Sequence, residues 1–146
     1  MQNSPCKINR TFLKRLPHNA DLLLWLEKFC RKHNIRTGLI QVIGAVKRAV
    51  IGYYGQKERT YTTLTLNKAL EIGSCIGNVS IKDKKVMVHA HIVLSNKKGK
   101  AFAGHLMPGT TIFAGEVYIQ ELSGTVLVRK FDETTGLMLW KNEQDE

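Results

Sequence analysis

Residues 86–109 read V-M-V-H-A-H-I-V-L-S-N-K-K-G-K-A-F-A-G-H-L-M-P-G, and this stretch decides the fold. Two apolar runs flank a short polar turn. Gly99 is placed to take the left-handed backbone that follows a type I turn, giving a three-residue hairpin loop, Lys97-Lys98-Gly99, with a bulge at the glycine. Asn96 then faces Lys100, and counting back sets His91 directly opposite His105. Side chains alternate along a strand, so His89 shares the face of His91. A loop one residue longer would send His105 to the other face.

Working outward, the same β pattern repeats. Apolar or Thr/Tyr-rich runs occur at 39–46, 49–54, 60–66, 70–81, 110–122 and 124–130, with turn residues between them. Gly73 and Gly77 suggest a bulge or bend in the fourth run. Before these runs, Leu22, Leu23, Leu26, Phe29 and Cys30 fall at helical spacing, predicting a helix over 19–34. Asn19 is the expected N-cap, Asp21 lies in the first turn, and Arg31, Lys32 and His33 lie in the last. Asn34 suits the left-handed stop. Leu24 and Trp25 widen the apolar face, as in a helix packed on a sheet. The short connections predict an α+β type of α/β domain, a mostly antiparallel sheet with a long N-terminal helix and few further helices.

The chain has 146 residues, 43% of them hydrophobic, enough for one cored domain over 1–146. A short extension (1–8) and an acidic tail (132–146) are expected at its ends. No apolar stretch reaches the roughly 18–20 residues of a membrane span. No secretion signal opens the sequence. Cys6, Cys30 and Cys75 form no paired framework, so a cytoplasmic location is expected.

The formal net charge is +10. Residues 1–131 carry 21 of the 22 basic side chains and 7 of the 12 acidic ones. Such a field attracts nucleic acid without reading its sequence. Lys84, Lys85, Lys97, Lys98 and Lys100, in or beside turns, are the candidate phosphate contacts. Neither standard nucleotide loop occurs.

The histidine triangle is the most specific chemistry. Opposed Cβ atoms about 5 Å apart allow imidazoles to converge on one ion. Three neutral histidines and a water make an open zinc arrangement; nickel, copper or iron(II) accept the same nitrogens. Plain packing of hydrogen-bonded histidines is the competing reading. Glu71 and Glu116 are candidate acids, but no spacing aims them at the triangle. The cupin H-x-H pattern calls for a nearby Glu where this chain has Leu94 and Ser95. There is no G-x-S-x-G, and Cys30 with His33 reads as packing and capping. Binding is therefore favoured over catalysis.

Four segments carry a family resemblance: V-I-G-A-V-K-R-A-V-I-G-Y-Y at 42–54, L-E-I-G-S-C-I-G-N-V-S at 70–80, V-H-A-H-I-V-L-S at 88–95 and A-G-H-L-M-P-G-T-T-I-F-A-G-E-V at 103–117. They resemble the PPC (plants and prokaryotes conserved) family. The resemblance implies a homotrimer, a DNA-binding or regulatory role, and a metal on His89, His91 and His105. Glu71, Asn78 and Glu116 belong to the matched motifs; Glu71 and Asn78 are the candidate polar site beside a structural role, and Cys75, where a plain apolar residue is more usual, reads as core. The AT-hook core R-G-R-P of plant members is absent. Their G-R-F-E-I-L segment reads N-K-A-L-E-I at 67–72. Two alternatives stand beside the binding protein. One is a metal-dependent enzyme acting on a small anion; the other is an interaction scaffold for a regulatory protein.

Overall fold

The structure, a computed structural model, describes residues 5–140. Nine strands and one helix occur among them. They are β1 (Lys7–Arg15), α1 (Leu22–Lys32), β2 (Gly38–Gly55), β3 (Thr60–Leu66), β4 (Leu70–Lys82), β5 (Lys85–Ser95), β6 (Ala101–Leu106), β7 (Thr111–Ser123), β8 (Arg129–Asp132) and β9 (Leu137–Trp140). The main sheet runs β1-β7-β2-β4-β5-β6, every described pairing antiparallel. β8 and β9 make a separate hairpin.

The runs at 39–46 and 49–54 are halves of one bent strand. β2 shifts register against β7 around Val46 and Arg48. Its first half lies between β4 and β7. Its second half pairs with β3 and, through Ile51 and Gly52, with Leu106 and His105 of β6. β2, β4, β5 and β6 thus close into a ring. Only the bend lets one strand serve four partners.

α1 covers one face. Leu22, Leu26 and Cys30 are fully buried, and Val88, Ala90, Ile92 and Leu94 of β5 are buried as well. The helix spans 11 residues and is not the long N-terminal element expected. Its N-cap is Asp21, which accepts from the Leu24 N–H at 3.0 Å. Asn19 instead takes a left-handed φ of 65° in the preceding turn. The other Asp21 oxygen accepts from the Gly109 N–H, so the cap also ties the helix to the β6–β7 loop. Asn34, at φ 54°, ends the helix region as its position predicts.

β1 precedes the helix; it begins at Lys7, overlapping the expected extension (1–8) at Lys7 and Ile8, and runs to Arg15. At the other end, residues 132–140 of the expected acidic tail form the last residue of β8, the turn and β9. Glu143, Asp145 and Glu146 lie outside the described residues. No described helix is long and apolar enough to cross a membrane.

Candidate metal centre

The hairpin holds the predicted register. His91 pairs with His105 and Ser95 with Ala101. Gly99 has φ 76°, its N–H donates to the Asn96 carbonyl at 2.8 Å, and Asn96 Oδ1 accepts from Lys98 and Lys100. His89 stands opposite Asn78 of β4, and His105 opposite Gly52 of β2. The inward residues of β5 are the apolar even-numbered ones, so alternation turns His89 and His91 to the opposite face from α1.

The three rings meet there. Their centroids are 5.3 Å (His89–His91), 4.8 Å (His89–His105) and 5.5 Å (His91–His105) apart. One nitrogen from each lies within 4.8 Å of the others. Ligands about 2.1 Å from a tetrahedral ion sit about 3.4 Å apart, so small side-chain rotations suffice. His105 Nδ1 is buried without a hydrogen-bond partner. A buried imidazole nitrogen left so is costly, and a cation satisfies it. The donor set fits a divalent transition metal.

The electrostatics agree. Burial, followed by His105, Arg129 and His91, pushes His89 down to about 4. Burial, followed by His91 and Arg129, also lowers His105. Both imidazoles are neutral at pH 7, the form that ligates. One consequence concerns the metal-free protein. The folded state keeps His89 unprotonated down to about pH 4, while the unfolded chain takes up a proton near 6.5. Stability is full above that range and falls as the pH drops through it. Urea unfolding of metal-free protein from pH 7 to 4 is expected to show this slope, and His89→Gln to flatten it.

Residues that sequence reasoning missed surround the triangle. Arg129, only 6% exposed, donates from Nε to Ser80 Oγ at 2.9 Å and from Nη1 to the Met138 carbonyl at 2.9 Å. Its Nη2 donates to Asn78 Oδ1 at 3.0 Å and lies 3.3 Å from His89 Nδ1. Burial lowers its affinity for its proton. The Tyr61 ring lies 5.3 Å from that of His105, and the Trp140 ring 5.6 Å from the guanidinium carbon. A lone Arg in V-L-V-R-K-F gives no sign of burial. The D-E-T-T-G turn at 132–136 was the signal that could have revealed the hairpin carrying it.

Other predicted residues are distributed. Asn78 adjoins the triangle, but Glu71 pairs with Ser95 at the far end of β4, several residues from Asn78. Glu116 faces Arg15 on β1 and lines a cleft of about 470 Å³ with Leu13, Ile43 and Tyr118, not the histidines. Cys75 and Cys30 are buried, and burial pushes each thiol up to about 12, which fits core residues and not ligands. Lys84 and Lys85 sit at one end of β5; Lys97, Lys98 and Lys100 sit at the other.

The chain is 41% identical to a metal-containing protein from Archaeoglobus fulgidus, covering 97% of this chain and 100% of that one, with a TM-score of 0.91. It is 38% identical to a plant- and prokaryote-conserved protein from Pyrococcus horikoshii, covering 97% and 98%, with a TM-score of 0.92. A candidate DNA-binding protein from Bacteroides thetaiotaomicron shares the fold at 23% identity and a TM-score of 0.84, covering 93% and 96%. The chain also matches bifunctional protein GlmU of Synechococcus sp. (strain JA-3-3Ab), 26% identical over 131 residues; these are 88% of the chain but only 20% of that protein. Residues 3–123 match the model of the Plants and Prokaryotes Conserved domain. With that match over most of its length, the fold and the ordered motifs agreeing, the chain belongs to the Plants and Prokaryotes Conserved (PCC, also PPC) domain family.

Proposed function

We propose that this protein is a homotrimer that binds a divalent transition metal, zinc first, through His89, His91 and His105, and holds DNA without reading its sequence. The orphaned His105 Nδ1 inside a neutral three-histidine cluster carries the metal reading. The metal-containing relative from A. fulgidus supports it. When bound, the metal supplies a positive centre with an open position; the chain's part is to hold three neutral nitrogens around it. Metal analysis after reconstitution is the direct test, and a metal-free chain overturns the reading.

Trimerisation rests on the outer sheet face. Leu13, Leu39, Ile43 and Ile76 project there, exposed, from β1, β2 and β4. Isolated exposed apolar residues are ordinary, but a contiguous apolar face calls for a partner. Three copies raise the field that attracts phosphate.

The basic charge and the candidate DNA-binding relative support the DNA reading. The lysine groups at the two ends of β5 are roughly 33 Å apart at strand rise. That is comparable to one turn of B-DNA, about 34 Å. Titration on duplex DNA, with mass followed by light scattering, is expected to give a trimer whose affinity falls steeply with salt. Replacing Lys97, Lys98 and Lys100 by Gln should lower the log–log salt slope by about 3 per chain engaged. No binding at low salt sinks the DNA reading. The cytoplasmic assignment rests on three unpaired cysteines. The rival reading, a metal-dependent enzyme acting on a small anion, is favoured by the open metal position.

A further inference from the structure

Arg129 is the most unusual side chain near the histidines. A guanidinium stays charged under all ordinary conditions, and a buried charge normally has a counter-charge. The ion pairs among the described residues are Arg10–Glu121 and Arg31–Glu27, and neither involves Arg129. Its recorded partners, Ser80, Asn78, Met138 and His89, are all neutral. Arg129 also lies beyond residues 3–123, the part that matches the family model, on the C-terminal hairpin.

Its position creates a conflict at the metal. An arginine only donates hydrogen bonds, so the His89 Nδ1 that faces it presents a lone pair. Ligation through Nε2 would put the proton on Nδ1 and set two donors against each other. Ligation through Nδ1 would bring a cation up to the guanidinium. Through Nδ1 two positive groups meet within a few ångströms in a half-buried site; through Nε2 two donors oppose each other, with the ion one ring-width beyond. An anion between them removes the conflict: it accepts from Arg129 and neutralises both centres.

From this juxtaposition we infer that Arg129 makes the three-histidine centre a joint site for a metal and a small carboxylate, the carboxylate being held by the guanidinium beside the ion. A carboxylate suits both partners, because its two oxygens match the planar guanidinium and either one can ligate a metal. The aromatic rings of Tyr61 and Trp140 flank this space and favour a small organic acid over a bare inorganic ion. The inference rests on the proposed metal reading and gives that site its ligand class.

Cobalt(II) and acetate are the probes, and the visible spectrum of bound cobalt is the readout. Acetate is expected to tighten cobalt binding by about fivefold or more and to change the spectrum; by linkage, cobalt tightens acetate equally. Arg129→Met should bind cobalt more tightly than wild type in carboxylate-free buffer, because the repulsion is gone. It should also lose the acetate effect. Arg129→Lys should keep part of it. A purely structural arginine would give the opposite first result, weaker cobalt binding in Arg129→Met. If that variant does not fold, the wild-type response and Arg129→Lys decide. Cobalt bound with no response to acetate in either the wild type or a variant with its acidic tail neutralised overturns this inference alone; no cobalt bound overturns the metal reading with it. A variant carrying Glu143→Gln, Asp145→Asn and Glu146→Gln separates the sources of the carboxylate. An acetate effect in the wild type supports an external acid. An effect seen only in the variant supports the carboxylate chemistry but assigns it to the chain's own tail.

Discussion

His105→Ala is expected to lose metal affinity by at least about 100-fold while the protein stays folded. Removing even a residue behind a metal ligand costs 10–100-fold, and here one of three ligands disappears. His105 is the most telling of the three. Its Nδ1 is the buried nitrogen with no partner, so its truncation also removes an unsatisfied polar group from the metal-free protein. Metal-free His105→Ala should therefore be destabilised less than its lost volume suggests, and metal should no longer raise its melting temperature. His91→Ala removes a more exposed ring and should show the same loss of metal with little change in metal-free stability. Metal content and thermal melts with and without added zinc check both. Wild-type levels of tightly bound metal in His105→Ala would refute the assignment of this nitrogen.

The second large effect is on the fold itself. Gly44→Ala is expected to destabilise by about 4 kcal/mol or more, among the largest single-site costs. Gly44 has φ 136°, in the region that L side chains avoid. A Cβ there would overlap the Ala114 carbonyl oxygen and lie 2.5 Å from Gly115 Cα, both backbone atoms of β7. Neither can swing aside as a flexible side chain would. For a chain of this size the melting temperature should fall by roughly 10 °C or more. Gly99→Ala is the control. Its φ of 76° carries strain, but a Cβ would meet nothing within 4 Å, so a cost of about 1–2 kcal/mol is expected. Equal melting temperatures for the two variants would contradict this account.

These residues show where the sequence was legible. One glycine in a polar turn set the β5–β6 register, and that register paired His91 with His105. The rule is local and has two discrete answers, so a sequence can choose between them. β1 was not legible for a physical reason. K-I-N-R-T-F-L-K-R is an edge strand exposed along nearly all its length, so it lacks the period-two apolar signal. It is held instead by pairing with β7 and by Arg10, which grips Glu121 and holds that carboxyl below the usual carboxylate range. The helix cap moved from Asn19 to Asp21 because Asp21 also binds the Gly109 N–H across the chain, a partner invisible to local reading. Arg129 was hidden in the same way: its burial arises from the docking of a hairpin onto β4, with Ile81 bridging Val128.

The closed circuit of strands has a kinetic consequence for the site. In an open sheet, β6 could slip along β5 by two residues and keep its inward and outward faces, while separating His105 from His91. Here β6 is also anchored to Ile51 and Gly52, so a slip must break pairings on both sides at once. The anchor joins segments far apart in the chain, a contact whose loop closure is entropically expensive and therefore formed late. The turn at Gly99 sets the histidine spacing locally, and the late-closing circuit then locks it in place. All three histidines lie on the β5–β6 hairpin, so a bound metal would staple the same two strands that the circuit clamps from outside.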